Sequence, residues 1–132
     1  MNTITISDKA RVRTITLQRP ARRNALTSEM IAELTRAFEE FGNAEPLIMI
    51  LTGAGESFCS GLDLEELQKM ATQDEAAQRA SSDQIAAMFV ALHNCAKPTI
   101  AAVNGAAVAG GMGLATICDF TLAIPNAKFG YP

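Results

Sequence analysis

Three cysteines are all that the 132-residue chain offers for bridging. Cys59, Cys95 and Cys118 are odd in number, far apart and without CxxC spacing, which excludes a disulfide scaffold and a structural zinc site. No grouping of His, Cys and carboxylates points to any other metal. The single histidine, His93, falls near the end of a predicted helix. Ser57 and Ser60 have no evident base and no GxSxG around them, so a Ser–His nucleophile is not indicated. Long apolar runs are also missing: residues 47–51 and 106–109 fall far short of the roughly 20 residues that span a bilayer. The first six residues alternate and lack a basic stretch followed by an apolar one, so they do not read as a signal peptide. There is no excess of positive charge, with 11 basic against 14 acidic residues and a net charge of −3, and no dedicated nucleic-acid binder is expected. No GK[ST] occurs, and Phe58 stands where a third glycine would complete GxGxxG after Gly53 and Gly55, which sets aside the P-loop and the dinucleotide fingerprint. Repeats and low-complexity linkers are absent. A soluble, cytoplasmic protein of a reducing compartment is expected.

What remains is a chain 48% hydrophobic and 19% charged, the composition of one globular domain. Six of its eleven basic residues, Lys9, Arg11, Arg13, Arg19, Arg22 and Arg23, precede Asn24. Residues 11–17 alternate as a strand and pair with residues 3–7 across a turn at 8–10. Pro20 ends that strand. Thr27 or Ser28 caps a helix whose inward face carries Met30, Leu34, Ala37, Phe38 and Phe41, and Gly42 or Asn43 stops it. Residues 47–51 form a continuous apolar run, the mark of a parallel strand covered on both faces. Helices are predicted at 62–70 and at 75–95, the latter with Ile85, Met88, Phe89 and Leu92 inward. Strands follow at 99–103 and 120–124, with a small-residue helix at 110–117 between them. This alternation is the α/β pattern with right-handed crossovers. Cys59 and Cys118 are expected as core fillers.

Two places combine a buried strand, a glycine-rich loop and a helix: residues 51–64 and residues 103–114. Glycines let backbone approach a ligand closely and leave amides facing outward. A helix start adds free N–H groups and the positive end of a dipole. Two such loops converging present a pair of N–H donors to one developing negative charge, each worth roughly 3–4 kcal/mol to a transition state.

Residues 15–20 (Ile-Thr-Leu-Gln-Arg-Pro) followed by 23–26 (Arg-Asn-Ala-Leu), the segment 51–64, the segment 97–105 with Ala109-Gly110-Gly111, and Cys118-Asp119-Phe120 with residues 127–130 stand in one order. Together they resemble the enoyl-CoA hydratase/isomerase (crotonase) superfamily over nearly the whole chain. The resemblance implies a crotonase-like spiral of ββα units, with residues 1–132 as its N-terminal portion and the second half of the family fold lacking. It implies an enzyme that handles acyl-CoA thioesters, coenzyme A entering as part of the substrate and no separate cofactor. The thioester enolate would be stabilised by the backbone amides of Leu62 and Gly110. Ser60 would line the pantetheine path, and Arg22 or Arg23 would meet the CoA phosphates. A homotrimer or hexamer is implied as well.

Hydratases of this family use two glutamates. Gly113 stands at the first position, and the second lies beyond Pro132. The resemblance therefore implies acyl-CoA binding with crotonyl-CoA turnover near background, unrestored by Gly113→Glu. The alternative is a catalytically silent acyl-CoA-binding or oligomerising fragment. Asp63 is expected to serve a helix N-terminus, Glu65 and Glu66 to be solvated, and Asp119 to pair with neighbouring backbone or a basic residue.

Overall fold

The computed structural model describes residues 3–132; residues 1 and 2, which begin the alternating N-terminal run, lie outside them. Strands β1 (Ile4–Lys9) and β2 (Val12–Leu17) form an antiparallel hairpin. Its turn is tighter than predicted. Lys9 pairs directly with Val12, and the two connecting residues, Ala10 and Arg11, both take positive φ (51° and 65°), the conformation that matches the twist of a two-residue hairpin. A 3-10 turn (Pro20–Arg22) precedes helix α1 (Ser28–Phe41). Strand β3 (Ile48–Gly53), helices α2 (Leu64–Thr72) and α3 (Glu75–His93), and strand β4 (Thr99–Val103) follow. Strand β5 (Ala107–Val108), helix α4 (Gly110–Ile117), and strands β6 (Phe120–Ala123) and β7 (Phe129–Gly130) complete the order.

The main sheet runs β1-β2-β3-β4-β6, parallel from β2 onward. Its register places Ile15, Leu51, Ala101 and Thr121 in one row. Each parallel step returns through helix: α1 between β2 and β3, α2 and α3 between β3 and β4, α4 between β4 and β6. The predicted α/β alternation is thus present. The two-residue strands β5 and β7 went unpredicted, being too short to show a period.

Helix α1 starts where Thr27 accepts the N–H of Met30 at 3.1 Å, satisfying one of the free amides of the first turn. Its Met30, Leu34, Phe38 and Phe41 are fully buried, each stabilising the fold by roughly 1.5–3 kcal/mol. They meet Met88 and Leu92 of α3 and the sheet residues Ile15, Leu17, Met49, Leu51 and Ala101 in one core. At the far end of α1, the Lys97 ammonium donates to the carbonyls of Phe41, Ala44 and Pro46 at 3.0, 2.6 and 2.7 Å. A cation there suits the negative end of the helix dipole, and it ties α1 to the strand that follows Pro98.

One expectation is corrected. Residues 47–51 were read as covered on both faces, but Met49 and Leu51 are buried while Ile48 and Ile50 remain half-exposed. Strand β4 repeats this, with Ile100 and Ala102 half-exposed. The helices cover one face only, and a continuous apolar run cannot show which face stays open. The edge strand β6 is exposed throughout, with Phe120, Leu122 and the following Ile124 turned to solvent. Among the described residues no helix is long and apolar enough to cross a membrane.

Candidate active site

The parallel strands β2, β3 and β4 all end at one edge of the sheet, where α/β folds bind ligands. Three loops leave that edge: residues 18–27, 54–63 and 104–109. Short parallel bridges weld them into a second layer. Leu26 pairs with Leu62, Cys59 with Ala107, and β5 with β7. Phe58 and Cys59 donate to the Ala106 carbonyl at 3.0 and 3.1 Å, and Val108 donates to the Cys59 carbonyl at 3.0 Å. Close approach dictates the glycines here. A Cβ on Gly105 would lie 1.9 Å from the Glu56 carbonyl oxygen, and one on Gly111 would lie 2.1 Å from that of Cys59.

Two asparagines fix the first loop from opposite sides. Asn24, fully buried, donates to the Ala54 and Ser57 carbonyls at 3.0 and 2.9 Å and accepts from the Arg19 N–H at 2.8 Å. Asn104 donates to the carbonyls of Gly53 and Gly55 at 2.8 and 3.0 Å and accepts from the Gly53 N–H at 3.2 Å. Neither residue was singled out for a role in the sequence. The signal available is an asparagine beside each loop junction, and the carbonyls it holds lie 30 or more positions away.

The predicted donors sit where these loops meet. Leu26 donates to the Gly61 carbonyl at 2.8 Å and accepts from Asp63 N–H at 2.9 Å. Successive amides of an extended segment point to opposite sides, so the Leu62 N–H is turned away from Leu26. Among the described residues it donates to no acceptor, and neither does the Gly110 N–H, which opens α4. Gly110 N lies 3.3 Å from the place a Cβ on Gly61 would take. Ahead of it, Ala109 holds φ 52° and ψ −119°, a strained conformation for a residue with a Cβ, at a cost of about 1–3 kcal/mol. It is held by its N–H to the Gly130 carbonyl at 2.8 Å and by its own carbonyl, which accepts from Gly113 at 3.1 Å.

Beside Leu62 opens a cavity of about 470 Å³ whose lining includes Arg22, Arg23, Ser60, Leu62, Asp63 and Glu65. Four of the five predicted binding residues therefore share one cavity; Gly110 does not line it. The Arg22 guanidinium is 63% exposed and lies 3.9 Å from a Glu65 oxygen. Arg23, at φ 52°, turns the chain so that its carbonyl accepts the Ser60 N–H at 3.1 Å.

Asp63 caps α2, accepting the Glu65 N–H at 2.9 Å, and its second oxygen receives both terminal nitrogens of Arg19 at 3.3 Å. Burial works to raise its pKa, but the Glu65 N–H, the Arg19 guanidinium and the Glu66 N–H together hold it below the usual carboxylate value. Asp63 is thus committed to cap and ion pair. Glu66, expected to be solvated, instead accepts from the Ser28 N–H and hydroxyl at 3.1 and 2.9 Å, clipping α2 to the start of α1. Asp119 accepts from the Thr99 N–H at 2.9 Å, as expected of a structural acid. Burial pushes the Cys59 and Cys118 thiols up to about 11, which keeps them protonated and unreactive at neutral pH. Where an acid would follow Gly110 by one helical turn, Gly113 faces the Phe89 ring; a Cβ there would meet its Cε1 at 3.1 Å. Among the described residues no three His, Cys, Asp or Glu side chains gather as a metal site.

The profile of the enoyl-CoA hydratase/isomerase family matches residues 7–132. A probable enoyl-CoA hydratase of Mycobacterium tuberculosis is 36% identical over 129 residues, 98% of this chain and 50% of that protein. A short-chain-enoyl-CoA hydratase of Clostridium acetobutylicum is 37% identical over 134 residues, covering 100% of this chain and 50% of the relative. Among solved structures, an enoyl-CoA hydratase/carnithine racemase from Magnetospirillum magneticum superposes with a TM-score of 0.92 at 35% identity, over 100% of this chain and 50% of the other. The chain belongs to the enoyl-CoA hydratase/isomerase family and has the crotonase fold. It spans about half the length of the relatives it matches.

Proposed function

We propose that this chain binds an acyl-CoA thioester and stabilises its enolate oxyanion with the backbone amides of Leu62 and Gly110, as part of an enzyme of the hydratase/isomerase type. The observation that carries this is the pair of unpaired N–H groups on adjoining loops. The cavity lined by Arg22, Arg23 and Ser60 fits beside it as a path for the CoA moiety. Charge-assisted bonds from either arginine to phosphate would anchor the nucleotide end. The acid–base step falls outside this machinery, because glycine at 113 has no proton to exchange.

The test is isotope-edited infrared spectroscopy of crotonyl-CoA bearing a labelled thioester carbonyl. Binding lowers the carbonyl stretch if two N–H groups polarise it, while the absorbance of the enoyl thioester stays at the uncatalysed rate. An unshifted carbonyl removes the oxyanion assignment, and rapid loss of the enoyl absorbance shows that an acid was overlooked. Assembly as a trimer or a multiple of it belongs to the same proposal, supported by the exposed apolar side chains of Phe120, Leu122 and Tyr131. Light scattering that gives a monomer at micromolar concentration counts against it. A cytoplasmic setting is part of the proposal too, consistent with three unpaired thiols; loss of the protein from the cytosolic fraction on cell fractionation would refute it.

A further inference from the structure

We propose that Phe89 is the specificity-determining side chain of this site: its ring walls the acyl side of the Gly110 amide and restricts the bound acyl group to a short chain. This rests on the acyl-CoA reading above. Side chains on a helix lean toward its N-terminus, so a residue at 113 would cover the turn that begins at Gly110. The chain places no side chain there. Helix α3 delivers the Phe89 ring into that space instead. Its Cε1 and Cζ lie 3.1 and 3.3 Å from the place of a Cβ on Gly113, and Cζ lies 4.0 Å from that of a Cβ on Gly110. The Leu26 Cδ1 lies 3.4 Å from the same place. Hydrocarbon from two separate segments therefore stands against Gly110. Of the carboxylates at the start of α2, Asp63 faces Arg19 and Glu66 faces Ser28, while Glu65 is exposed and lies 3.9 Å from Arg22. Such a wall accepts an alkyl chain rather than a polar substituent, and its bulk sets how much alkyl fits.

The experiment compares the 132-residue chain with Phe89→Ala and Phe89→Leu, titrated calorimetrically with acetyl-CoA, hexanoyl-CoA and free CoA. Each methylene newly buried contributes roughly fourfold in affinity. The ratio of hexanoyl-CoA to acetyl-CoA affinity is expected to rise at least about tenfold in Phe89→Ala and a few-fold in Phe89→Leu. The neighbouring Val90→Ala, at an exposed position, is expected to leave the ratio unchanged. An unchanged ratio in either folded Phe89 variant overturns the inference while the acyl-CoA reading stands. If the folded, unaltered chain binds neither ester better than free CoA, the acyl-CoA reading falls, and this inference with it. A ligand-free measurement checks the contact itself. Gly113→Ala is expected to lower the urea midpoint beside Phe89 and to raise it in the Phe89→Ala background; equal effects in the two backgrounds would overturn the proposed wall.

Discussion

Replacing Gly111 with alanine tests whether close approach of the two loops, rather than glycine flexibility, shapes the site. The added Cβ would stand 2.1 Å from the Cys59 carbonyl oxygen, 2.7 Å from its carbon and 2.8 Å from its Cβ. Two of these three contacts are backbone, so no rotamer change relieves them. Relieving the contact with the oxygen therefore requires the two loops to move apart. That overpacking costs about 1–3 kcal/mol. The same carbonyl accepts the Val108 N–H at 3.0 Å, and losing that bond adds about 1 kcal/mol. Alanine returns up to about 1 kcal/mol as the better helix former. The net expectation is a destabilisation of about 2 kcal/mol, read as a fall of about 1 M in the urea midpoint followed by circular dichroism. Gly110→Ala is the matched control. Its Cβ would meet nothing nearer than Leu26 Cδ1 at 3.4 Å, an ordinary contact, so its midpoint should not fall below that of the unaltered chain. Equal midpoints for the two variants would refute the close-approach account.

Ala109→Gly should stabilise the chain by about 1 kcal/mol. It relieves a positive-φ strain of about 1–3 kcal/mol and costs about 0.5–1 kcal/mol in backbone entropy; a lowered urea midpoint would show that the conformation at φ 52° carries no strain. The Asp63 pKa is depressed in the folded chain, so its stabilisation is present above the unfolded value of about 3.9 and is lost as pH falls through the folded value. Asp63→Asn keeps a capping oxygen but loses the charge that faces Arg19. Its stability should therefore be lower near neutral pH and fall less on acidification, and parallel acid-unfolding curves for the two proteins would exclude Asp63 as a contributor.

Much of this molecule is written locally. The period of Met30, Leu34, Phe38 and Phe41 marks α1, and Thr27 marks its start, because both depend on neighbours within a turn or two. The two glycine-bearing loops are legible for the same reason, since strand, loop and helix start are contiguous in sequence; the placing of donors on Leu62 and Gly110 within them is what the family resemblance implies. Tertiary structure alone decided what holds those loops. Asn24 reaches Ser57 and Asn104 reaches Gly53 across 33 and 51 positions, and the bridges of the second layer are too short to carry a period. Arg19 and Asp63, 44 residues apart, become partners only once Leu26 is laid against Leu62. Gly113 shows the division most plainly. The family resemblance marks it as a place without an acid, and only the packing of α3 on α4 fills that place with the ring of Phe89, because a helix specifies its own surface while what fills a gap in it comes from a distant segment of the chain.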